Sequence, residues 1–462
     1  MKSNVLLKLC GVLSVAVLMA SATTFHADGA ERPAAASATA PTPQMTLDAV
    51  VADVLEHNPE VKFYSAEIAA ARGGARTAAT WANPDLSATV GDKRVTNGGL
   101  AAEGVAWAVS VRQTFEWPGR ISLRKAIANH QIQLADLGYA QFRAALAART
   151  RDVAYGLFAA QEKAAAAREV ANRFHALREV LVQRELGGIT PVLELRIIEA
   201  TEITMQRKAS EAALAQQAAM LELNQLRDQP WQDMITIAPV ELAVPAAPEL
   251  EALLAAARAH NFEIRMRQAE LAQQGFKVSL AKNEAYPSVA VGPYVSQERA
   301  GDLERQVGLG ISMPLPLWNR NQGNIETAAA RQQQAETAMY VTQRTIERQV
   351  VEQARTYQTK VAEVETWRPE SVAEFRQAAA LADRHYRLGG VPITTYIELQ
   401  KQYLDAVEAM LDTRREALAA QQQLDLLTGA DTTALPASPS TQGSTAGPSP
   451  QQRRASRPSP KR

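Results

Sequence analysis

Residues able to do chemistry are few in this chain and poorly placed for it. His57, His130, His175, His260 and His385 are scattered, without the spacings that metal ligands use. No Gly-rich phosphate loop, nucleophile elbow or His-Glu-x-x-His segment occurs. The single cysteine, Cys10, lies in an apolar N-terminal stretch, so the rest of the chain has no thiol for a disulfide or a thiolate ligand. These residues predict no catalysis, no cofactor and no bound metal. His57 and His260 stand at matching places before helix-breaking segments, where a capping role suits them better than ligation.

That match belongs to an internal repeat. His57-Asn58 recurs as His260-Asn261 and Asn83-Pro84 as Tyr286-Pro287, both at an offset of 203 (260 − 57; 287 − 84). Trp117-Pro118-Gly119-Arg120 returns as Leu317-Trp318-Asn319-Arg320, and Gly187-Gly188 as Gly389-Gly390. Each copy reads as a helical segment, two short alternating strands, a very long helical run, Gly-Gly and another helical run. One duplicated architecture is expected, with a first repeat over 46–241 and a second over 242–429.

Charge balances, with 49 basic and 49 acidic residues, and offers no electrostatic case for nucleic acid. The N-terminus reads as a secretory signal over 1–22, with Lys2 and Lys8, an apolar run from Val12 to Ala20, and Ala20-Ser21-Ala22 for cleavage. Cleavage after Ala27 is the alternative. Cys10 precedes most of the apolar run, which argues against a lipoprotein signal. Residues 23–45 read as an Ala/Pro/Thr linker, and 430–462 as a disordered tail ending in Arg453, Arg454, Arg457, Lys461 and Arg462. Beyond the signal no apolar run reaches ~18 residues, so any membrane crossing must be made by a barrel.

Four stretches alternate as strands, at about 84–93, 104–114, 287–297 and 304–314. Val105, Trp107, Val109 and Val111 set one face against Ala106, Ala108, Ser110 and Arg112. Val307, Leu309, Ile311 and Met313 do the same against Gly308, Gly310 and Ser312. Trp81, Phe115, Trp117, Tyr286 and Trp318 gather at one end of these hairpins, as an aromatic girdle does. A soluble hairpin packed on helices is the competing account; two matched hairpins behind a secretory signal favour the membrane. Four strands cannot close a barrel, so several chains must share one. Two chains would give eight strands and three would give twelve.

From Pro118 to about Leu186 apolar residues recur at heptad spacing, as in Leu146/Val153 and Val170/Leu177. The partner run from Asn319 to Leu388 carries Val350, Tyr357 and Val364, with Pro369 expected to bend it. Each run meets its Gly-Gly and returns, giving two antiparallel helical hairpins. Pro118, Pro191 and Pro392 are expected in first helical turns.

These residues resemble the TolC-like outer-membrane factor family over about Met45 to Gly429. Phe115-Glu116-Trp117-Pro118-Gly119-Arg120 and Pro314-Leu315-Pro316-Leu317-Trp318-Asn319-Arg320-Asn321-Gln322-Gly323 resemble its cobalt–zinc–cadmium heavy-metal efflux branch. The resemblance implies an α+β membrane protein. A homotrimer would share a twelve-stranded β-barrel in outer-membrane lipid and extend a helical barrel through the periplasm. It implies a periplasmic adaptor and an inner-membrane resistance-nodulation-division (RND) transporter as partners. It places adaptor-binding tips at Leu186, Gly187, Gly188, Ile189 and Thr190, and at Leu388, Gly389, Gly390, Val391 and Pro392. Each Gly pair also reads simply as a helix-ending turn. The resemblance further suggests aperture carboxylates at Glu194 and Glu398, where plain helix-surface glutamates are the alternative; Tyr396 replaces the direct counterpart of Glu194. The expected function is passive efflux of heavy-metal cations. A drug- or protein-export duct and, from another class, a periplasmic coiled-coil adaptor remain the alternatives.

Overall fold

The computed structural model describes residues 44–97, 100–183, 189–239, 245–246, 248–366 and 371–430. The expected signal, nearly all of the linker and the tail beyond Ala430 lie outside the described residues.

Each repeat opens with a short amphipathic helix, α1 (Leu47–His57) and α5 (Leu250–His260). The Thr46 hydroxyl accepts the Ala49 N–H and starts α1, whose Val50, Val51 and Val54 are buried. Asn58 and Asn261 then restart the chain as α2 (Pro59–Ala78) and α6 (Phe262–Glu284). Each Asn side chain is a two-way clamp. Asn58 Oδ1 accepts the Glu60 N–H at 2.9 Å while Nδ2 donates to the Leu226 carbonyl at 2.9 Å. Asn261 accepts from Glu263 and Ile264 and donates to the Leu427 carbonyl, again at 2.9 Å. The capping expected of His57 and His260 therefore falls to the next residue. His57 instead turns back to the Asp53 carbonyl of its own helix at 3.0 Å. An amide offers both a donor and an acceptor in one side chain, which this junction needs.

The strands are β2 (Asp85–Asn97), β3 (Leu100–Phe115), β5 (Val289–Ala300) and β6 (Asp302–Ser312), antiparallel in the order β2-β3-β5-β6. Both hairpins run further toward their turns than alternation indicated, because backbone pairing continues where both faces become polar. β6 stops at Ser312, before Pro314, which cannot donate to a ladder. A second sheet, two residues per strand, pairs β1 (Gln44–Met45) in parallel with β4 (Thr236–Ile237). Strands this short left no periodic signal.

The first long run is one helix, α3 (Arg120–Val182), whose 63 residues span roughly 95 Å. It returns as α4 (Ile189–Arg227). The second comprises α7 (Gln322–Thr366) and α8 (Ser371–Arg387), with Pro369 outside the described residues between them, and returns as α9 (Ile393–Thr428). The heptad residues Leu146, Val153, Val170, Leu177, Val350 and Tyr357 are buried, whereas Val361 rather than Val364 is the buried residue near the end of α7. Alanines such as Ala147, Ala154, Ala167 and Ala171 complete the seam and let the helices approach closely. Between α3 and α9, Asp152 holds Arg415 through both oxygens, and Lys163 meets Asp412 at 2.7 Å. Only Pro191 of the three helix-opening prolines lies inside a first turn. Pro118 precedes the N-cap Gly119, and Pro392 is itself the N-cap of α9. Gly119 has φ +88°, a conformation that sets the chain leaving β3 on the axis of α3.

Candidate functional site: the helical tips and the four-stranded sheet

At the second tip α8 ends in a Schellman turn. Gly390 N–H bonds to the His385 carbonyl at 2.8 Å, Gly389 N–H bonds to Tyr386 at 2.9 Å, and Gly389 has φ +77°. Leu388 projects into solvent, and Val391 and Pro392 carry the chain into α9. Leu186, Gly187 and Gly188 of the first tip lie outside the described residues, while Ile189 and Thr190 are the first residues of α4.

Glu194 is half-buried and faces a cleft of about 420 Å³ between the two hairpins. Leu177 and Leu181 of α3 and Arg387, Gly389 and Gly390 of the second tip share its walls. Glu398 is exposed on α9 and accepts from Gln402, so the fold does not bring the two glutamates together within one chain. Tyr396, which looked like a gap in a carboxylate pattern, is fully buried. It stacks on Tyr386 with centroids 5.3 Å apart and donates to Asp383 at 3.3 Å, while Asp383 also accepts from Arg387 at 3.0 Å. Burial, and then the Asp383 carboxylate, push the Tyr396 hydroxyl far above its usual range. Gln400, one turn further on, is also fully buried, donating to the Ala379 carbonyl and accepting from Arg173. This Tyr–Asp–Arg network and Gln400 hold the turn; polar residues on an otherwise apolar helix face were the available signal. Among the described residues no three His, Cys, Asp or Glu side chains are grouped to hold a metal ion.

On the sheet, register aligns like with like. Leu86 faces Val111, Ala88 faces Val109 and Val90 faces Trp107. Val109 in turn faces Val295, which faces Val307. One apolar face results, on which Leu86, Val90, Val307 and Leu309 stand exposed. The opposite face carries Ser87 bonded to Ser110 at 2.7 Å, and Lys93 reaching across β3 to Glu298. Trp81 meets Phe115 edge-on, and Trp117 stacks on Tyr286 at 4.8 Å, at the end where the strands give way to helices. No helix among the described residues is long and apolar enough to cross a membrane. An apolar outer face, a polar inner face and an aromatic border are what a lipid-embedded stave requires.

Residues 253–430 match the family described as outer membrane efflux protein. The cobalt-zinc-cadmium resistance protein CzcC of Cupriavidus metallidurans is 23% identical over 293 residues, 63% of this chain and 68% of its own length. A membrane protein from Pseudomonas aeruginosa shares the fold with a TM-score of 0.69 at 18% identity, covering 87% of this chain and 96% of its own. The CmeC outer membrane channel of Campylobacter jejuni does so with a TM-score of 0.67 at 14% identity, covering 89% and 96%. The chain is thus similar to outer membrane efflux proteins over 253–430 and shares the fold of outer membrane channels.

Its four-stranded sheet supplies the exposed apolar surface, and α3 and α4 with α7, α8 and α9 supply the long helical part.

Proposed function

We propose that this protein is a TolC-like outer-membrane factor of the Gram-negative outer membrane, extending into the periplasm as the exit duct of a tripartite RND system for heavy-metal cations and energised by its inner-membrane partner. Three copies form a twelve-stranded barrel, and a periplasmic adaptor engages the tips at Gly187-Gly188 and Gly389-Gly390. One observation carries the duct reading. The four-stranded sheet is apolar on an uncovered face and unpaired at both edges, at the head of a 63-residue helix. Open edges are not tolerated in lipid, so further copies must complete it. The likeness to CzcC supports the metal cargo. A duct has no need of a tight metal site, since firm binding retards exit. The mechanism is dilation of the periplasmic end when the adaptor loads the tips, with Glu194 in the cleft between hairpins attracting cations as they enter.

Growth of a deletion strain and its complemented parent tests the cargo across zinc, cobalt, cadmium, nickel, copper and a panel of organic toxicants. Selective metal sensitivity, restored by complementation, is expected. Sensitivity to organic compounds alone overturns the metal assignment and leaves the duct.

A further inference from the structure

The two hairpins of the larger sheet run together for most of their length and part at the end remote from the helices. β3 pairs with β5 only as far as Ala106 opposite Glu298, whereas β2–β3 pairing continues to Asn97 and Leu100, and β5–β6 pairing to Ala300 and Asp302. Past Ala106 the β5–β6 tip leaves the ladder and lies over a face of β3. A neighbour held in the plane of a sheet runs about 4.8 Å to the side. Here a Cβ built on Gly104 would overlap the Arg299 carbonyl, and one built on Gly301 would touch the Ala102 Cβ at 3.6 Å. Gly292 makes a similar approach to Val111, but pairing resumes beyond it. Ala102 and Gly104 share the side of β3 that carries Ser110, so the tip is folded across the polar face.

An ion pair holds it there. Lys93, directly opposite Gly104 on β2, passes over β3 and donates to Glu298 at 2.5 Å, with Glu304 of β6 at 3.6 Å. One ammonium thus ties β2 to both strands of the other hairpin, at the level where the β3–β5 ladder ends. Glu298 and Glu304 stand directly opposite each other, an arrangement in which like charges repel unless a cation lies between them. Gly104 leaves room both for the Lys93 stem and for the Arg299 backbone.

We propose that the β5–β6 tip is an exit flap, and that Lys93 latches it and thereby sets the size of solute that passes the outer mouth. The proposal rests on the shared barrel of the proposed function, in which the polar face lines the lumen. Each copy then directs one tip inward across its own β3, and the ring of tips narrows the mouth. Small hydrated ions leave freely, while bulky solutes outside are kept from the lumen. Without Lys93 the two glutamates repel, and a tip that β3 no longer pairs swings away.

Thr89 lies on the polar face, four residues nearer the helices than Lys93, and the only cysteine, Cys10, is in the expected signal. Thr89→Cys is therefore labelled on intact cells with a small and with a bulky membrane-impermeant maleimide, alone and beside Lys93→Gln. The small reagent is expected to react equally in both chains, and the bulky one at least tenfold faster beside Lys93→Gln. The charge swap of Lys93→Glu with Glu298→Lys should restore slow bulky labelling, which a lysine acting only through packing would not allow. Gly104→Ala collides with Arg299 beyond the end of the β3–β5 ladder, so it should displace the tip with no change of charge and match Lys93→Gln. It carries the test of the flap if Lys93→Gln fails to reach the membrane. Unchanged bulky labelling in both variants overturns the flap, as does an equal rise with both reagents, the mark of a loosened barrel. A rise with Gly104→Ala alone, or a charge swap that restores nothing, overturns the latch. If neither reagent reaches Thr89→Cys in any of these chains, although each is recovered from outer membranes, the open lumen itself is overturned and not merely its flap.

Discussion

At the scale of single residues the junctions are held by side chains with two jobs. Asn58 and Asn261 each cap one helix and tether the end of another, buried in both cases. Replacing either with Ala leaves N–H and C=O groups unpaired and should cost about 1–3 kcal/mol, read as a lowered unfolding midpoint of the detergent-solubilised protein. Two buried tyrosines separate packing from hydrogen bonding. Tyr396 donates to Asp383, so Tyr396→Phe should destabilise by about 1 kcal/mol. The Tyr155 hydroxyl is buried with no partner among the described residues, so Tyr155→Phe should leave the melting temperature unchanged or raise it. Burial pushes Tyr155 to about 12 and moves Tyr357, Tyr396 and Tyr403 in the same direction. With folded values above the ordinary 10, the neutral phenols contribute stability that is complete below pH ~10 and is lost as pH rises through the folded values. A helical signal followed from pH 9 to 12 should fall, and less steeply in Tyr155→Phe. The His-Asn repeat pointed to the right place but the wrong residue. Both types can cap, and only the buried tether to Leu226 and Leu427 distinguishes them.

At the scale of elements, periodicity served in proportion to length. The long helices and the four strands of the larger sheet were legible because dozens of positions repeat one pattern. The β1–β4 pairing, at two residues a strand, had none. Tip geometry was half legible. The Gly-Gly pair announced a turn, while the Tyr396–Asp383 bond beneath it was hidden because partners 13 positions apart, on two helices, share no motif (396 − 383). Gly389→Val forces a β-branched side chain to φ +77° and should cost at least ~1 kcal/mol, visible as faster amide exchange around the second tip. Gly292 is a harsher case. A Cβ there would lie 1.8 Å from the Val111 carbonyl, so Gly292→Val should break the β3–β5 ladder and abolish recovery from outer membranes.

At the scale of the whole molecule, the sheet has one apolar and one polar face, and in the proposed barrel substitutions should obey that division. Val109→Arg places a charge on the apolar face at a cost of about 2–4 kcal/mol and should reduce membrane-inserted protein. Thr89→Arg, on the polar face, should be inserted normally and alter conductance in planar bilayers instead. Legibility was weakest for cargo. A passive conduit need only avoid retaining what passes, and a surface that does not bind leaves little specific record in its residues.

In the proposed shared barrel, the unpaired edges of β2 and β6 also determine how the protein comes into being. A strand that finds its neighbour only on another molecule cannot complete its fold alone, so folding and assembly are one event. Its rate depends on how many chains are present, and a lone chain is exposed to proteolysis for as long as it waits. One faulty copy spoils the ring it enters. A Gly292→Val allele expressed beside the normal one should therefore be silent if its chains never pair, whereas an allele damaged only at a tip should act dominantly, poisoning ducts built mostly of sound chains.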